Sequence, residues 1–511
     1  MNDQMKLAFW VTIFLWLSLS CTLFGLRWRT RRQYKVAAGA RVVGFFHPFC
    51  AGGGGGERVL WRCVHVLAKL SKESGTPLHV LIYTGDVWEP EEILSGVSRQ
   101  FHISLDQAEL PVSFVYLSGR SLLDATRYPV LTMLGQSLGS VVLAAEALAR
   151  GTPDIFVDTT GWAFSFLVAS LAGCATGTYI HYPTISTDML SLVREQRPSY
   201  NNGAWISSSI AVSRVKLVYY QAFALFYGLV GSLASVVMVN SSWTRRHIEA
   251  LWKLSSPLVV FPPCDTSELE TLPIDDGGRL RCVLSVGQFR PEKDHALQVR
   301  AFAALKHLSN SRETDGATGL GIQHPSYDDV RLVIVGSCRN DQDRAVLAQT
   351  RALTVELGVE DSVQFVVNCS FAVLKSWLGR ASVGLHTMWN EHFGIGVVEM
   401  MAAGLVTIAH RSGGPEADIV VPLPDGEPTG FLAETAEEYA RAMARVFSGA
   451  GGGGVANGVG APLSVSTSHI RVAARESARR FSNEVFDDAF ATEFHRFLAV
   501  GQRSKPAMKR Q

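Results

Sequence analysis

From Arg41 onward, short continuous apolar runs alternate with longer stretches whose apolar positions recur at helical spacing. The first half of the chain offers VVGFF, LHVLIY, SFVYL, DIFVDT, TGTYIH and ASVVMVN, and the second offers CVLSV, VRLVIVG, VQFVV, ASVGLH and LVTIAH. Unbroken β-branched runs, as opposed to alternating ones, suit strands covered on both faces, and the intervening helices supply that cover. The pattern predicts an α/β architecture of two doubly wound, Rossmann-like domains facing a cleft, with ligands at the carboxyl ends of the strands. Punctuation rich in Pro, Asp and Gly at residues 261–278 lies between the two series and reads as a linker. The expected division is an N-terminal membrane anchor with its basic flank (1–40), a first domain (41–262), a second domain (279–480), and a C-terminal helix with a basic tail (481–511).

Two uncharged stretches stand apart from this alternation. Residues 7–26 carry no charge, and twenty helical residues span about 30 Å, one hydrocarbon core. Such a run is a membrane helix or a signal peptide. Arg27, Arg29, Arg31, Arg32 and Lys35 follow it and only Lys6 precedes it, so the positive-inside rule places the long C-terminal body in the cytosol. A cleaved signal wants its charge before the apolar run and a small-residue site after it, which favours the anchor, a single N-terminal transmembrane helix. Residues 217–240 are also long and uncharged. A crossing there would put the glycine-rich loop at 52–56 and the acidic motif at 391–399 on opposite sides of the membrane. The run is therefore read as a helix at 217–231, lying in the membrane surface or packed on the sheet, followed by a strand at 234–239. Biased stretches at 311–326 and 448–462 read as surface insertions.

Composition narrows the function classes. The 511 residues exceed what one hydrophobic core fills, and 47% hydrophobic against 18% charged residues excludes a disordered chain. A formal net charge of +1 offers no basic footprint for nucleic acid. The eight cysteines form no C-x-x-C pair, so neither a zinc site nor a disulfide scaffold is legible. The sequons at Asn240 and Asn368 sit beside apolar strand-like runs, and buried sequons suit a cytosolic body.

Three constellations carry chemistry. Gly52–Gly56, between the strand ARVVGFF and a helical run, could bring backbone amides to a phosphate, with Gly53, Gly54, Gly55 and Gly56 as the phosphate or acceptor loop. No Lys-Ser/Thr follows, so it is not a P-loop, and a flexible loop reads equally well. GQFRPEKDH at 287–295 again joins a strand to a helix, and Arg290 with Lys293 offers a planar fork and a point charge suited to a diphosphate. The plain alternative is a solvated turn beside Glu292 and Asp294. EHFGIGVVE at 391–399 places Glu391 in a loop and Glu399 in a helix closed by Gly404, two carboxylates able to hold sugar and ribose hydroxyls while helix amides face a phosphate. His181 and Asp158 close first-half strands, where a lone His or Asp is more often structural. Asp341 and Asp343 form a D-x-D that either holds a metal or caps the helix it opens, and capping is favoured.

Taken together, FRPEK and EHFGIGVVE followed by MMAAG resemble the retaining, metal-independent GT-B glycosyltransferases that use nucleotide sugars. FFHPFCAGGGGGERVLW, HYPTISTDML, VMVNSSWT and TMWNEHFGIGVVEMMAAG resemble more closely the dolichol-pathway GDP-mannose α-1,2-mannosyltransferases. The match runs from Arg41 to about residue 435 and takes in the anchor, departing in a fifth glycine and in the two insertions. The resemblance implies that Arg290 and Lys293 bind the donor diphosphate, that Glu391 holds the mannose and Glu399 the ribose, and that Gly394 and Ile395 give backbone contacts. It also implies that His181 and the glycine loop face donor sugar and acceptor, so that Glu391, His181, Arg290 and Lys293 form the catalytic set, with no metal and no cofactor. Its substrates would be GDP-mannose and a dolichyl-diphosphate-linked oligosaccharide, at the endoplasmic reticulum membrane and alongside other mannosyltransferases of the pathway. Front-face departure and attack would account for retention, since no carboxylate in these motifs is an obvious nucleophile. The competing readings are another membrane glycosyltransferase with a different lipid-linked acceptor, and an inactive binding subunit. A binding module has no need of all four of Arg290, Lys293, Glu391 and Glu399.

Overall fold

The computed structural model describes residues 3–189, 210–253, 255–275, 278–309, 312–314, 321–323, 326–448 and 467–503. The chain divides into two compact units, one made of residues 1–240, 244–261 and 486–511, the other of 241–243 and 262–485.

The first unit is a seven-stranded parallel sheet in the order β3-β2-β1-β4-β5-β6-β7. Its strands are β1 (Arg41–Phe46), β2 (Leu78–Thr84), β3 (Val112–Tyr116), β4 (Ile155–Asp158), β5 (Ala175–Ile180), β6 (Val236–Val239) and β7 (Leu258–Val259). Helices α1 (Asp3–Gln33), α2 (Gly55–Ser74), α3 (Pro90–Phe101), α4 (Thr132–Arg150), α5 (Ser165–Leu171), α6 (Ile210–Gly231) and α7 (Ser242–Leu251) connect or flank them. Strand order reverses between β1 and β4, which opens a crevice at their carboxyl ends.

The second unit is a six-stranded parallel sheet in the order β12-β11-β8-β13-β14-β15. Here β8 is Leu280–Val286, β11 Arg331–Gly336, β12 Val363–Val367, β13 Ala381–Leu385, β14 Val406–His410 and β15 Phe431–Ala433. A short antiparallel hairpin, β9 (Arg312–Thr314) and β10 (Gly321–Gln323), lies between β8 and β11 in sequence. The helices are α8 (Thr266–Glu270), α9 (His295–Leu308), α10 (Asp341–Glu356), α11 (Phe371–Arg380), α12 (Ile395–Ala402), α13 (Ala436–Phe447) and α14 (Thr467–Ala478), and α15 (Asn483–Arg503) follows them in sequence and belongs from Phe486 onward to the first unit. The order reverses between β8 and β13.

All eleven apolar runs coincide with strands, and those inside the two helix-covered sheets are buried on both faces, whereas the edge strands β3 and β12 are only partly covered. The run at 217–240 divides into α6, ending at Gly231, and β6, paired with β5. Two expectations are corrected. The 261–278 stretch contains α8 and a bridge from Cys264 to Ser482, so it is built into the second unit and is more than a linker. Asn368 is exposed, in contrast to Asn240; its positive φ of 52° ends β12, and its carboxamide accepts from Cys338 N at 2.9 Å. The 311–326 insertion holds the β9–β10 hairpin, whereas residues 449–462 of the glycine-rich insertion lie outside the described residues.

The C-terminal helix completes the first core. Phe486, Phe490, Phe494 and Phe497 of α15 recur at helical spacing and are buried in the cluster formed by α2, β1 and β2. The eight cysteines are free thiols.

Candidate functional site

The switch point of the second unit collects the chemistry-bearing residues. After β8 the chain turns at Gly287, and a single turn of 3₁₀-helix, Pro291–Lys293, ends at Asp294 with φ 46°. Asp294 then caps α9 by accepting from Leu297 N at 3.0 Å. After β13, Thr387 ties the two loops together. Its hydroxyl is placed to donate to the carbonyls of Lys293 (2.9 Å) and Asp294 (3.1 Å), and it accepts from Gln298 Nε2 at 3.0 Å.

This crossing brings Lys293 Nζ to 2.5 Å from Glu391 Oε2, and His386 Nε2 lies 3.1 Å from the same oxygen. Glu391 keeps 15% of its side-chain surface exposed. Burial pushes its carboxyl up, but the Lys293 ammonium and the His386 contacts outweigh that and hold it well below the ordinary carboxylate value. Its loop is pinned from behind. Gly414 N donates to Glu391 O at 2.7 Å, and Asn390 N donates to Ser412 Oγ at 2.8 Å. At Gly413, with φ +65°, a Cβ would strike the Glu391 backbone, so glycine there lets the two loops touch.

Gly394 is the N-cap of α12, with a φ of 112° that favours glycine. The amides of Val397 and Val398 turn back onto Gly394 O at 2.9 and 3.2 Å, which leaves those of Ile395 and Gly396 directed out of the positive helix end. A Cβ on Gly396 would lie 3.9 Å from Val286 O, so this end sits against the end of β8. Glu399, half-buried, stacks one turn beyond Ile395 on the same side of the helix. At the opposite end, Arg475 Nε donates to Ala402 O (2.9 Å), Arg279 Nη2 to Ala403 O (2.6 Å) and Arg471 Nη1 to Gly404 O (2.7 Å).

Of the residues expected in this unit, the structure brings Lys293, Glu391, Gly394, Ile395 and Glu399 to one switch point. Arg290 begins the same 3₁₀ turn but leans toward Glu292, 3.9 Å away, with 42% of its side chain exposed. His386, Thr387 and the three arginines behind α12 were not expected. The run ASVGLH ends in His386 just as TGTYIH ends in His181, so the sequence carries the same strand-terminal signal for both. Asp343 accepts from Arg339 N at 2.8 Å and Asp341 pairs with Arg344, as helix-opening acids do.

In the first unit, the glycine-rich turn follows β1 and is ordered by its neighbours. Asp86 Oδ2 accepts from Ala51 N (2.9 Å), Glu57 Oε2 accepts from Gly54 N (2.9 Å), and Trp61 Nε1 donates to Cys50 O (3.0 Å). Gly53 and Gly54 belong to the turn, whereas Gly55 and Gly56 are the first residues of α2. His181 follows β5, and a Cβ on Gly56 would lie 3.6 Å from its Nε2. Asp158, at the end of β4, is fully buried, and burial pushes its carboxyl up to about 6. His47, also buried, is pushed down to about 3 by burial and by His181, and so stays neutral.

Two parallel, doubly wound sheets, each with a reversal of strand order, give the chain the architecture of the GT-B fold. Solved structures of the same fold include sucrose-phosphate synthase from Thermosynechococcus elongatus (TM-score 0.58, 16% identity, covering 90% of this chain and 100% of that one). Trehalose 6-phosphate synthase from Burkholderia multivorans is another (TM-score 0.59, 12% identity, 90% and 99%). The family description "ALG11 mannosyltransferase N-terminus" matches residues 40–252 and "Glycosyl transferases group 1" matches residues 276–450. The chain is 45% identical over 490 residues to GDP-Man:Man(3)GlcNAc(2)-PP-Dol alpha-1,2-mannosyltransferase of Mus musculus, covering 93% of this chain and 92% of that protein. It is 40% identical to the protein of that name in Dictyostelium discoideum, covering 88% and 83%. The chain therefore belongs to the GDP-Man:Man(3)GlcNAc(2)-PP-Dol alpha-1,2-mannosyltransferase family.

Proposed function

We propose that the chain transfers mannose from GDP-mannose, in α-1,2 linkage and with retention, onto a dolichyl-diphosphate-linked trimannosyl chitobiose core. The observation that carries the chemistry is the Lys293–Glu391–His386 cluster under the N-terminus of α12. Lysine has three N–H donors, so Lys293 can hold Glu391 and still offer a proton to the donor diphosphate. Arg290, with its side chain half in solvent, swings onto the same diphosphate, and the amides of Ile395 and Gly396 add the helix end. These charges take the place of a metal ion at the leaving group, so the reaction needs no cofactor. Glu391 accepts from hydroxyls of the mannose and Glu399 from the ribose.

A carboxylate held ionised by two basic neighbours is a weak base and a weak nucleophile, which suits Glu391 to holding hydroxyls and favours front-face departure and attack. His181, the turn at Gly53 and Gly54, and the start of α2 at Gly55 and Gly56 serve acceptor and sugar in the first unit. The chain works at the endoplasmic reticulum membrane, anchored by α1, with its body in the cytosol and other mannosyltransferases of the pathway as neighbours. The test is incubation of purified protein in lipid vesicles with labelled GDP-mannose and a lipid-linked trimannosyl core, followed by sizing of the released glycan. Growth by one or two hexoses removable by an α-1,2-mannosidase is expected. Transfer only to another lipid-linked acceptor, or none, overturns the reading.

A further inference from the structure

Helix α4 is long and apolar enough to cross a membrane, yet it connects β3 to β4 of one sheet. Its inner residues Leu143, Ala144 and Ala147 are buried in the core, so it lies along the sheet. What remains outward is also apolar. Leu134, Leu138 and Val142 recur every four residues and are 36%, 57% and 58% exposed. Helix α6 shows the same two-sidedness. Tyr220, Phe223, Tyr227 and Val230 are buried inward, and Leu225, Phe226 and Leu229 are each more than half exposed.

These outward faces are neighbours. Leu134 N donates to Tyr219 Oη at 3.2 Å, joining α4 to α6, and α5 touches both while exposing Leu171. An exposed apolar area of this kind on a folded unit marks an interaction surface.

The charges decide what covers it. The 48 residues of α4, α5 and α6 contain one acid, Glu146, whose carboxylate is held by the amides of Ser118 and Gly119 and by Arg150. Arg214 and Lys216 lie in the first two turns of α6, so among the described residues of these three helices cations flank the apolar faces and the single acid is paired. That distribution complements anionic headgroups over acyl chains.

The position of α1 points the same way. Its last turns are bolted to this side of the unit: Arg27 Nη2 donates to Gly173 O just past α5, Thr152 N donates to Thr30 Oγ1, and Leu23 packs on the cluster containing Leu143 and Ala144. Read as the anchor, the uncharged run that precedes these turns would enter the bilayer beside α4 and α5.

We propose that the outward faces of α4, α5 and α6 form a platform seated in the headgroup and acyl boundary of one anionic phospholipid leaflet, so that the first unit is embedded as well as tethered. The proposal rests on reading α1 as the anchor, but its test does not depend on catalysis. A photoreactive benzoylphenylalanine is placed singly at Leu138, at Phe226, and at exposed Val355 in the second unit as a control. The full chain is reconstituted into phosphatidylcholine and phosphatidylinositol vesicles and irradiated. Phospholipid adducts at 138 and 226, at least roughly fivefold above those at 355, are expected. Adducts to a second copy of the chain, or no lipid adducts above the control, overturn the platform.

As a second measurement, Leu138→Gln with Phe226→Gln should slow transfer to a long-chain lipid-linked acceptor roughly fivefold and leave a short-chain soluble acceptor unaffected. Equal loss on both overturns the platform. Failure of the wild-type chain on either acceptor, with lipid adducts intact, would count against the proposed reaction and not against the platform.

Discussion

Replacing Lys293 by Met keeps the aliphatic stem and removes the ammonium that lies 2.5 Å from Glu391 Oε2. The carboxylate left behind has 15% of its side chain exposed and His386 Nε2 at 3.1 Å as its remaining side-chain partner in the cluster. Removing one member of a buried pair costs roughly 3–5 kcal/mol. Lys293 itself is 27% exposed, so water reaches the gap. A loss of about 2–3 kcal/mol near neutral pH is therefore expected.

The pH dependence distinguishes this cause from lost packing. In the wild type the Glu391 carboxyl is held below its ordinary 4.5, so its stabilisation is complete above that value and disappears as pH falls through the lower folded-state value. In the variant, burial is opposed by His386 alone and the folded state binds the proton more readily. The deficit should therefore be largest at neutral pH and shrink as the pH falls toward 4.5. Urea unfolding of the full chain in lipid nanodiscs, run in parallel at neutral and acid pH, measures it. Lys293→Met combined with Glu391→Gln should recover most of the loss, because no unpaired charge remains. A deficit below about 1 kcal/mol, or one independent of pH, would refute the reasoning.

Glu391→Ala should lower kcat, since contacts at the reacting sugar strengthen as charge develops, whereas Glu399→Ala should raise KM for the donor; each effect is roughly ten- to hundred-fold, and equal, purely KM effects would contradict the assignment. Activity should survive EDTA, and Asp341→Ala with Asp343→Ala should keep most of it while destabilising the chain by about 1 kcal/mol through the lost N-terminal charges of α10; loss of activity in both tests would restore the D-x-D as a metal site. Asp158 is fully buried with a carboxyl pushed from 3.8 to about 6 by burial, so its contribution is fully present below 3.8 and is lost as pH rises through 6. Asp158→Asn should therefore stabilise the chain near neutral pH by up to roughly 3 kcal/mol and by little near pH 4, as read from thermal unfolding at both; a gain of equal size at both would exclude ionisation as the cause.

The strands were legible because parallel sheets covered on both faces demand unbroken apolar runs, and VVGFF or VRLVIVG could be little else. The short edge strands β7 and β15 were not, since two or three residues carry no period. Lys293 and Glu391 each followed a recognisable strand, but their pairing spans 98 positions in sequence and depends on β8 and β13 being adjacent. Thr387, Ser412 and Gly413, which fix that geometry, are small polar or achiral residues of a kind common in any loop. The glycine run was ambiguous between a flexible loop and a formed turn. Asp86 and Trp61 resolve it, and neither could be assigned to the loop from the sequence.

Helix α12 shows how little of a site of this kind needs to be polar. Val397, Val398, Met400 and Met401 are buried, so the helix is a piece of core and cannot tilt without opening a cavity. Its carboxyl end is held by three guanidinium groups that satisfy the carbonyls of Ala402, Ala403 and Gly404. These cations favour the negative end of the helix dipole while fixing the axis. Eight residues span about 12 Å, so the amides of Ile395 and Gly396 are positioned by arginines a full helix length away. In the proposed reaction, stabilising the leaving charge with backbone dipoles depends on their orientation before the substrate arrives. Gly394 fits that requirement at one end of α12, and Arg279, Arg471 and Arg475 supply it from the other.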